Sequence, residues 1–179
     1  RIYYTTTGIV CEESSNVLLI EVREKPTLNA PGNNGPLCEG QDLQLQVPAL
    51  AGATYAWTGP NTFVSNIQNP VINSVGMIHA GQYRVVADVN GCSSNPQFTD
   101  VAVIAKPATP QITSNSPVCE GADIEISVLA VSGAIYEWSG PAGVISGNEK
   151  ITIVDASQAD AGNYTNRIIV NGCYSDIVS

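Results

Sequence analysis

Asp160-Ala161-Gly162-Asn163-Tyr164 is the segment from which the architecture can be deduced, because the chain of 179 residues contains two versions of it that share Ala-Gly-x-Tyr. The earlier copy, His79-Ala80-Gly81-Gln82-Tyr83, lies 81 residues upstream, since 160 − 79 = 81. Three further motifs recur at this offset: Cys38-Glu39-Gly40 at Cys119-Glu120-Gly121, Tyr55 to Pro60 at Tyr136 to Pro141, and Asn90-Gly91-Cys92 at Asn171-Gly172-Cys173. A fixed period without gaps indicates one structural unit that is used repeatedly.

The period also predicts the domain boundaries. Two units of 81 residues account for 162 residues, since 2 × 81 = 162, and 17 of the 179 remain. We expect residues 1–25 to be the C-terminal hairpin remnant of a preceding repeat, residues 26–105 to form one repeat, and residues 106–179 to form another whose last strand is truncated. The chain is therefore expected to be part of a longer tandem array.

Apolar and polar residues alternate within each repeat, which is the pattern of half-buried β-strands. Leu43, Leu45 and Val47 alternate with glutamines in one such run. Asn90-Gly91 follows another alternating run and is a strong signal for a tight β-hairpin. Six or seven short strands in each repeat, separated by turn residues, predict an antiparallel sandwich.

The type of sandwich follows from the segment that ends in Tyr164. It resembles the D-x-G-x-Y motif that opens strand F of immunoglobulin-like domains, where the tyrosine hydroxyl bonds back to the backbone. The resemblance makes Tyr83 and Tyr164 the corner tyrosines, and it places Trp57 and Trp138 at the core tryptophan of strand C. The predicted fold is all-β, with tandem immunoglobulin-like antiparallel β-sandwich domains.

The sequence departs from antibody domains at the core disulfide. The two cysteine positions are taken by Leu43 or Leu45 and by Val85, so aliphatic packing is expected there. Asn166 occupies the position of Val85 in the second repeat. A buried amide without partners costs roughly 1–3 kcal/mol, so we expect either a hydrogen bond or a local shift of the strand.

The cysteines lie at repeat-related positions, which favours disulfides and an oxidising compartment. They are Cys11, Cys38, Cys92, Cys119 and Cys173. In the expected fold Cys38 and Cys92 lie at opposite ends of one sandwich, on the order of 30 Å apart at ~3.3 Å per residue. A disulfide requires Cα atoms within about 7 Å.

In a head-to-tail array Cys38 would instead meet Cys173 across the junction, and this pair between repeats is the favoured one. Cys11 and Cys92 would then pair with preceding repeats and Cys119 with a following one. The alternative pairs Cys38 with Cys92 and Cys119 with Cys173, and each bond then spans 54 positions, since 92 − 38 = 54 and 173 − 119 = 54.

The sequence shows no constellation of residues that predicts catalysis, a metal or a cofactor. The net charge of −9 argues against nucleic acid as a partner. His79 is the single histidine and aligns with Asp160, so a turn residue is expected and not a catalytic base. No run approaches the ~18 apolar residues of a membrane helix.

Four motifs of the second repeat carry a more specific resemblance: Pro117-Val118-Cys119-Glu120-Gly121, Tyr136 to Pro141, Ala161 to Tyr164 and Asn171-Gly172-Cys173. Together they resemble the immunoglobulin-like and PKD-like tandem repeats of very large surface proteins from Bacteroidota. The resemblance implies an extracellular, cell-surface location. It also implies gliding adhesins, surface filaments or stalks, or spacer modules of secreted polysaccharide-degrading enzymes.

We therefore expect a structural, non-enzymatic segment of a large bacterial surface adhesin, stalk or filament. Disulfide-stabilised repeats would give it length and stiffness, with a role in cell adhesion or gliding motility. The alternatives are a module that binds glycans or proteins, and an accessory spacer of a secreted polysaccharide-degrading enzyme. The expected partners are neighbouring repeats, with other copies of the protein and surface glycans as further candidates.

Overall fold

The computed structural model describes residues 21–179. Cys11 and most of the predicted remnant at residues 1–25 lie outside the described residues. The described part consists of short β-strands and two single-turn 3₁₀ helices, Met77–His79 and Gln158–Asp160. It contains no helix that is long and apolar enough to cross a membrane. The predicted all-β class is thereby confirmed.

The first sandwich has ten short strands. They are β1 (Gly32–Asn33), β2 (Leu37–Cys38), β3 (Leu43–Gln46), β4 (Ala53–Gly59), β5 (Phe63–Ser65), β6 (Val71–Ile72), β7 (Gly81–Val89), β8 (Cys92–Ser93), β9 (Gln97–Val101) and β10 (Val103–Ile104). One sheet has the order β1-β3-β6, and the other has the order β5-β4-β7, with both β8 and β9 paired to β7. Strand β10 pairs in parallel with β2.

The second sandwich repeats most of this arrangement. Its strands are β11 (Thr113–Ser114), β12 (Ile124–Ser127), β13 (Ile135–Gly140), β14 (Gly143–Gly147), β15 (Lys150–Ile153), β16 (Thr165–Val170) and β17 (Cys173–Tyr174). The sheets have the orders β11-β12-β15 and β14-β13-β16-β17. These are the orders of an immunoglobulin-like antiparallel sandwich in both repeats, as predicted.

Each sandwich buries its own apolar core because alternate residues of every strand face the opposite sheet. In β3, Leu43 and Leu45 are completely buried while the intervening glutamines are exposed. The first core is centred on Trp57 and the second on Trp138, and no residue belongs to both clusters. The predicted boundary between residues 105 and 106 stays a prediction, and it falls between the two clusters.

The 81-residue period of the sequence also holds for cross-strand pairs of individual residues. Trp57 lies opposite Val85 in the first sandwich, and Trp138 lies opposite Asn166 in the second, at positions shifted by 81. Trp57, Val85 and Trp138 are each at most 1% exposed. The positions of the antibody core disulfide are therefore filled by packed side chains.

Candidate functional site at the junction of the two sandwiches

Cys38 lies at the end of the first sandwich from which the chain leaves. Strand β2 pairs in parallel with β10, so that Cys38 is opposite Ile104. The Glu39 N–H donates a hydrogen bond of 2.8 Å to the Ile104 carbonyl and fixes this register. Since the chain leaves the first sandwich after β10, this pairing places Cys38 beside the junction.

Cys173 lies at the entry end of the second sandwich, directly after a tight hairpin. Asn171 and Gly172 form the turn with φ values of 51° and 79°, which are left-handed conformations that Asn and Gly tolerate. Cys173 then pairs with Val170 across the hairpin and is completely buried. The first repeat has the same turn at Asn90 and Gly91, with φ values of 52° and 82°.

A disulfide joins Cys38 to Cys173 across a sequence separation of 135 residues, with a Cα–Cα distance of 5.6 Å. The distance is within the usual range for disulfides. The structure thus contains the favoured pairing between repeats and not the alternative pairing within each repeat. Cys92 and Cys119 are free thiols in the described part of the chain, and Cys119 is exposed.

A second contact fixes the linker to the sandwich that follows it. The Lys106 ammonium forms an ion pair with Asp176. One period earlier, the Lys25 ammonium donates a hydrogen bond of 2.6 Å to the Asn95 side chain. Both side chains of the ion pair are partly exposed, and such pairs contribute at most about 1 kcal/mol. The lysines orient the linker, whereas the disulfide restrains the sandwiches covalently.

The predicted corner tyrosines both make the expected bond. The Tyr83 hydroxyl donates to the His79 carbonyl at 3.0 Å, and the Tyr164 hydroxyl donates to the Asp160 carbonyl at 2.8 Å. Burial raises the pKa of the Tyr83 hydroxyl. Burial and the negative charge of Asp160 raise the pKa of the Tyr164 hydroxyl. Both hydroxyls therefore remain protonated donors at neutral pH.

His79 and Asp160 have the same structural role in the turns that precede β7 and β16. The Asp160 carboxylate accepts hydrogen bonds from the N–H and hydroxyl of Ser157, and these bonds lower the pKa of Asp160. The His79 imidazole accepts a bond of 2.9 Å from the Gly76 N–H through Nδ1. Its ring therefore takes part in the turn, as the alignment with Asp160 predicted.

The two tryptophans are held by hydrogen bonds as well as by packing. The Trp57 indole N–H donates to the Gln68 carbonyl at 3.1 Å, and the Trp138 indole N–H donates to the Asn148 carbonyl at 3.0 Å. Because both rings are buried and both donors are satisfied, these side chains are parts of the cores.

The sequence did not reveal why β4 and β13 each end in a glycine that is followed by a proline. A Cβ atom at Gly59 would lie 2.4 Å from the Tyr83 ring, and one at Gly140 would lie 2.5 Å from the Tyr164 ring. Because glycine has no side chain, the ring of the corner tyrosine can pack directly against the strand. The only signal in the sequence was the recurrence of Gly-Pro one period apart.

Asn166 is buried at a core position, where the nitrogen of its side-chain amide has a hydrogen-bond partner and the oxygen has none in the part of the chain that the structure describes. It is 1% exposed, and its Nδ2 donates a weak bond of 3.3 Å to the Glu137 carbonyl. Its Oδ1 has no hydrogen-bond partner among the described residues. The backbone stays in register, because Asn166 and Val178 exchange bonds of 2.9 and 3.0 Å. Of the two alternatives expected from the sequence, the structure has the hydrogen bond and not the shift of the strand.

Replacing this amide by the residue of the first repeat should stabilise the second sandwich. We expect Asn166→Val to raise its free energy of unfolding by roughly 1–3 kcal/mol, because an unsatisfied buried oxygen is removed. The reciprocal change Val85→Asn should destabilise the first sandwich by at least a similar amount. Urea unfolding of both variants measures this, and a loss of stability in Asn166→Val would contradict the account.

Metal ligands do not cluster in the described residues, where no group of three or more His, Cys, Asp or Glu side chains could hold an ion.

No family model matches the sequence, and no curated protein matches it. Among solved structures, the chain is similar to one in the complex of the mouse coronavirus receptor-binding domain with its murine receptor, at 16% identity and a TM-score of 0.47, covering 84% of this chain and 97% of that one. For murine CEACAM1b the identity is 15% and the TM-score 0.44, with coverages of 84% and 97%. For the three N-terminal domains of the Hoc capsid protein of bacteriophage RB49 the identity is 19% and the TM-score 0.43, and the similarity covers 79% of this chain and 53% of that one. Similarities at this level carry no information about what the chain binds.

Proposed function

We propose that this chain is a structural segment of a large extracellular surface protein, such as the stalk or filament of a bacterial adhesin. The observation that carries the proposal is the bond between Cys38 and Cys173, which joins two sandwiches and not the two sheets of one. A bond in this position contributes stiffness to the connection between repeats, because it removes the freedom of the linker to bend.

The bond also changes the path of a pulling force. Tension that enters through the residues before Cys38 crosses the disulfide to Cys173 and leaves through the residues after it. The intervening residues form a covalently closed loop that includes the second core and all buried residues of the first core except Leu28 and Leu37. The loop is shielded from the load, so tension cannot extend the residues between Cys38 and Cys173 while the bond is intact. This property suits a stalk that holds a cell against flow or drag.

The location outside the cell is supported by the disulfide and by the sequence. Disulfides persist in oxidising compartments and are rare in the cytosol. Only 13% of the residues are charged, which is typical of the polar, turn-rich surfaces of exported β-proteins. The resemblance to Bacteroidota surface repeats points to the same location. Protease treatment of intact cells that produce the protein should release peptides of these repeats, and their complete protection would contradict a surface location.

Stiffness can be tested in solution by small-angle X-ray scattering of the monomer. The oxidised chain should fit a narrow distribution of maximum dimensions, and the double variant Cys38→Ser/Cys173→Ser should fit a broader one because the linker is free to bend. The matched control is Cys92→Ser/Cys119→Ser, which removes two free thiols and leaves the junction intact. The proposal fails if the junction variant and the control scatter alike.

A further inference from the structure

Three asparagines of the chain are followed directly by glycine, namely Asn34, Asn90 and Asn171, and all three are exposed. In such a dipeptide the glycine nitrogen can attack the side-chain carbonyl of the asparagine, because glycine has no side chain that obstructs the approach. The attack requires that the nitrogen gives up its proton and that the asparagine side chain turns towards it. Hydrogen bonds at either group therefore determine which of the three sites reacts.

The first site is held at both groups. Nδ2 of Asn34 donates a hydrogen bond of 3.0 Å to the Asp42 carbonyl, and Oδ1 of Asn34 accepts one of 2.8 Å from the Gln44 N–H. The Gly35 N–H, which would supply the attacking nitrogen, donates a bond of 2.8 Å to Oδ1 of Asn33. Reaction at Asn34 would break these bonds, so the fold protects this site.

The second site is held at the attacking nitrogen. The Gly91 N–H donates a hydrogen bond of 2.8 Å to Oδ1 of Asp88, and Oδ2 of the same carboxylate accepts a bond of 2.9 Å from the Ser93 hydroxyl. The carboxylate keeps the proton on the nitrogen, and its charge opposes the negative charge that develops there during attack. Asn90 is therefore protected although it is exposed.

The third site lacks this protection. One period after Asp88 and Ser93 the chain has Ile169 and Tyr174, and the isoleucine cannot accept a hydrogen bond. Within residues 21–179 the Gly172 N–H has no hydrogen-bond acceptor, and the side chain of Asn171 has no partner. Both groups that must meet are thus free at this hairpin only.

We propose that Asn171 deamidates without an enzyme and that the hairpin at the junction is a site of spontaneous modification. The Gly172 nitrogen forms a bond to Cγ of Asn171, the bond from Cγ to the amide nitrogen breaks, and ammonia leaves. Water then opens the resulting cyclic imide at either carbonyl. One opening gives aspartate, and the other gives isoaspartate, in which the backbone runs through the former side chain. The sum is one water consumed, one ammonia released and one negative charge gained.

The modified turn lies against the junction disulfide. Sγ of Cys38 is 3.8 Å from the Gly172 carbonyl oxygen, and Cys173 is completely buried behind the turn. Asn171 and Gly172 close a tight turn with positive φ at both positions. Isoaspartate adds one atom to the backbone of this turn and so disturbs the pairing of Val170 with Cys173. The sulfur of Cys173 should then become accessible to reducing thiols.

Peptide mapping of the oxidised chain after incubation in mildly alkaline buffer tests the assignment of the site. We expect Asn171 to lose its amide roughly tenfold faster than Asn34 and Asn90, which is the effect of one hydrogen bond to a charged group on a reaction barrier. In urea the three asparagines should react at similar rates, because the protecting bonds are lost.

Two reciprocal variants exchange the protecting residue between the repeats. Ile169→Asp gives the Gly172 N–H the acceptor that Gly91 has, and it should slow the reaction at Asn171. Asp88→Ile removes that acceptor from the first repeat, and it should make Asn90 reactive. Slow reaction at Asn34 in both variants serves as the internal control that the chain is folded.

Reduction of the disulfide tests the consequence for the junction. The isoaspartate form can be separated from the fresh chain by anion exchange, because it carries one more negative charge. Dithiothreitol should reduce the bond between Cys38 and Cys173 several times faster in the isoaspartate form, as measured by alkylation of the released thiols. The variant Asn171→Asp is the matched control, since it has the added charge and an unaltered backbone, and it should be reduced like the fresh chain.

The site assignment is overturned if the three asparagines of the folded chain react equally, or if the reciprocal variants leave the rates unchanged. Equal reduction rates of the fresh and isoaspartate forms would overturn the consequence for the junction. The inference is independent of the proposed function, because the scattering experiment concerns the freshly prepared, unmodified chain.

Discussion

When the oxidised chain is stretched between its two ends, the residues between Cys38 and Cys173 should not add to its extended length. The disulfide closes a loop of 135 residues, and only residues outside Cys38 to Cys173 can extend. After reduction the same pull should release an additional contour length of roughly 450 Å, at ~3.4 Å per residue. This length should appear in two unfolding events, because the chain has two separate cores. Optical-tweezers measurements with and without reductant provide the comparison.

Two variants make this experiment specific to the junction. Cys38→Ser/Cys173→Ser should behave like the reduced chain in the absence of reductant. Cys92→Ser/Cys119→Ser should behave like the oxidised natural chain, since it removes only free thiols. An oxidised natural chain that releases the full length of both sandwiches would show that the bond is not where the structure places it.

Truncation of a core tryptophan should remove most of the stability of its own sandwich. Trp57→Ala deletes a ring that is 1% exposed, and such changes cost about 3–5 kcal/mol. A small domain has only about 5–15 kcal/mol to lose. Hydrogen exchange measured by mass spectrometry should show faster exchange in β3, β4 and β7. Trp138→Ala should do the same in β12, β13 and β16.

The cores share no residue, so each substitution should leave the other sandwich protected. The fluorescence of the remaining tryptophan reports whether the other sandwich is folded, because the chain has two tryptophans and each sandwich holds one. Phe98→Ala is the control, since this aromatic side chain is 47% exposed and its loss should cost much less. Equal loss of protection in both sandwiches after either tryptophan change would contradict the presence of two separate cores.

Most of the fold could be predicted because its determinants are local and occur twice. The alternation of leucine and glutamine from Leu43 to Gln46 specifies a strand with one buried face, and it does so independently of the residues that pack against that face. Asn90-Gly91 specifies a tight turn because both residues tolerate positive φ. The corner motif specifies a bond from Tyr83 to a carbonyl only four residues away. Each signal acts over a few residues, and a second copy supports it.

The features that could not be predicted depend on side chains that meet only in three dimensions. Nothing near Gly59 in the sequence shows that the ring of Tyr83 will lie against it. The sequence identified Asn166 as an anomaly, but the partner of its amide belongs to a different strand.

The junction disulfide lies between these two cases. The sequence placed Cys38 and Cys92 at opposite ends of one sandwich by strand direction and length, which disfavoured a bond within the repeat. Choosing Cys173 as the partner required the further assumption that repeats stack end to end. The structure has this pair at a Cα–Cα distance of 5.6 Å.

Peptide mapping of the purified chain under non-reducing conditions tests the central claim most directly. Free thiols are first blocked by alkylation, and the digest is then analysed by mass spectrometry before and after reduction. The account predicts a linked pair of peptides that contain Cys38 and Cys173, with alkyl groups on Cys92 and Cys119 of the monomer. Peptides that link Cys38 to Cys92 and Cys119 to Cys173 would contradict it, because both bonds would then lie within single repeats.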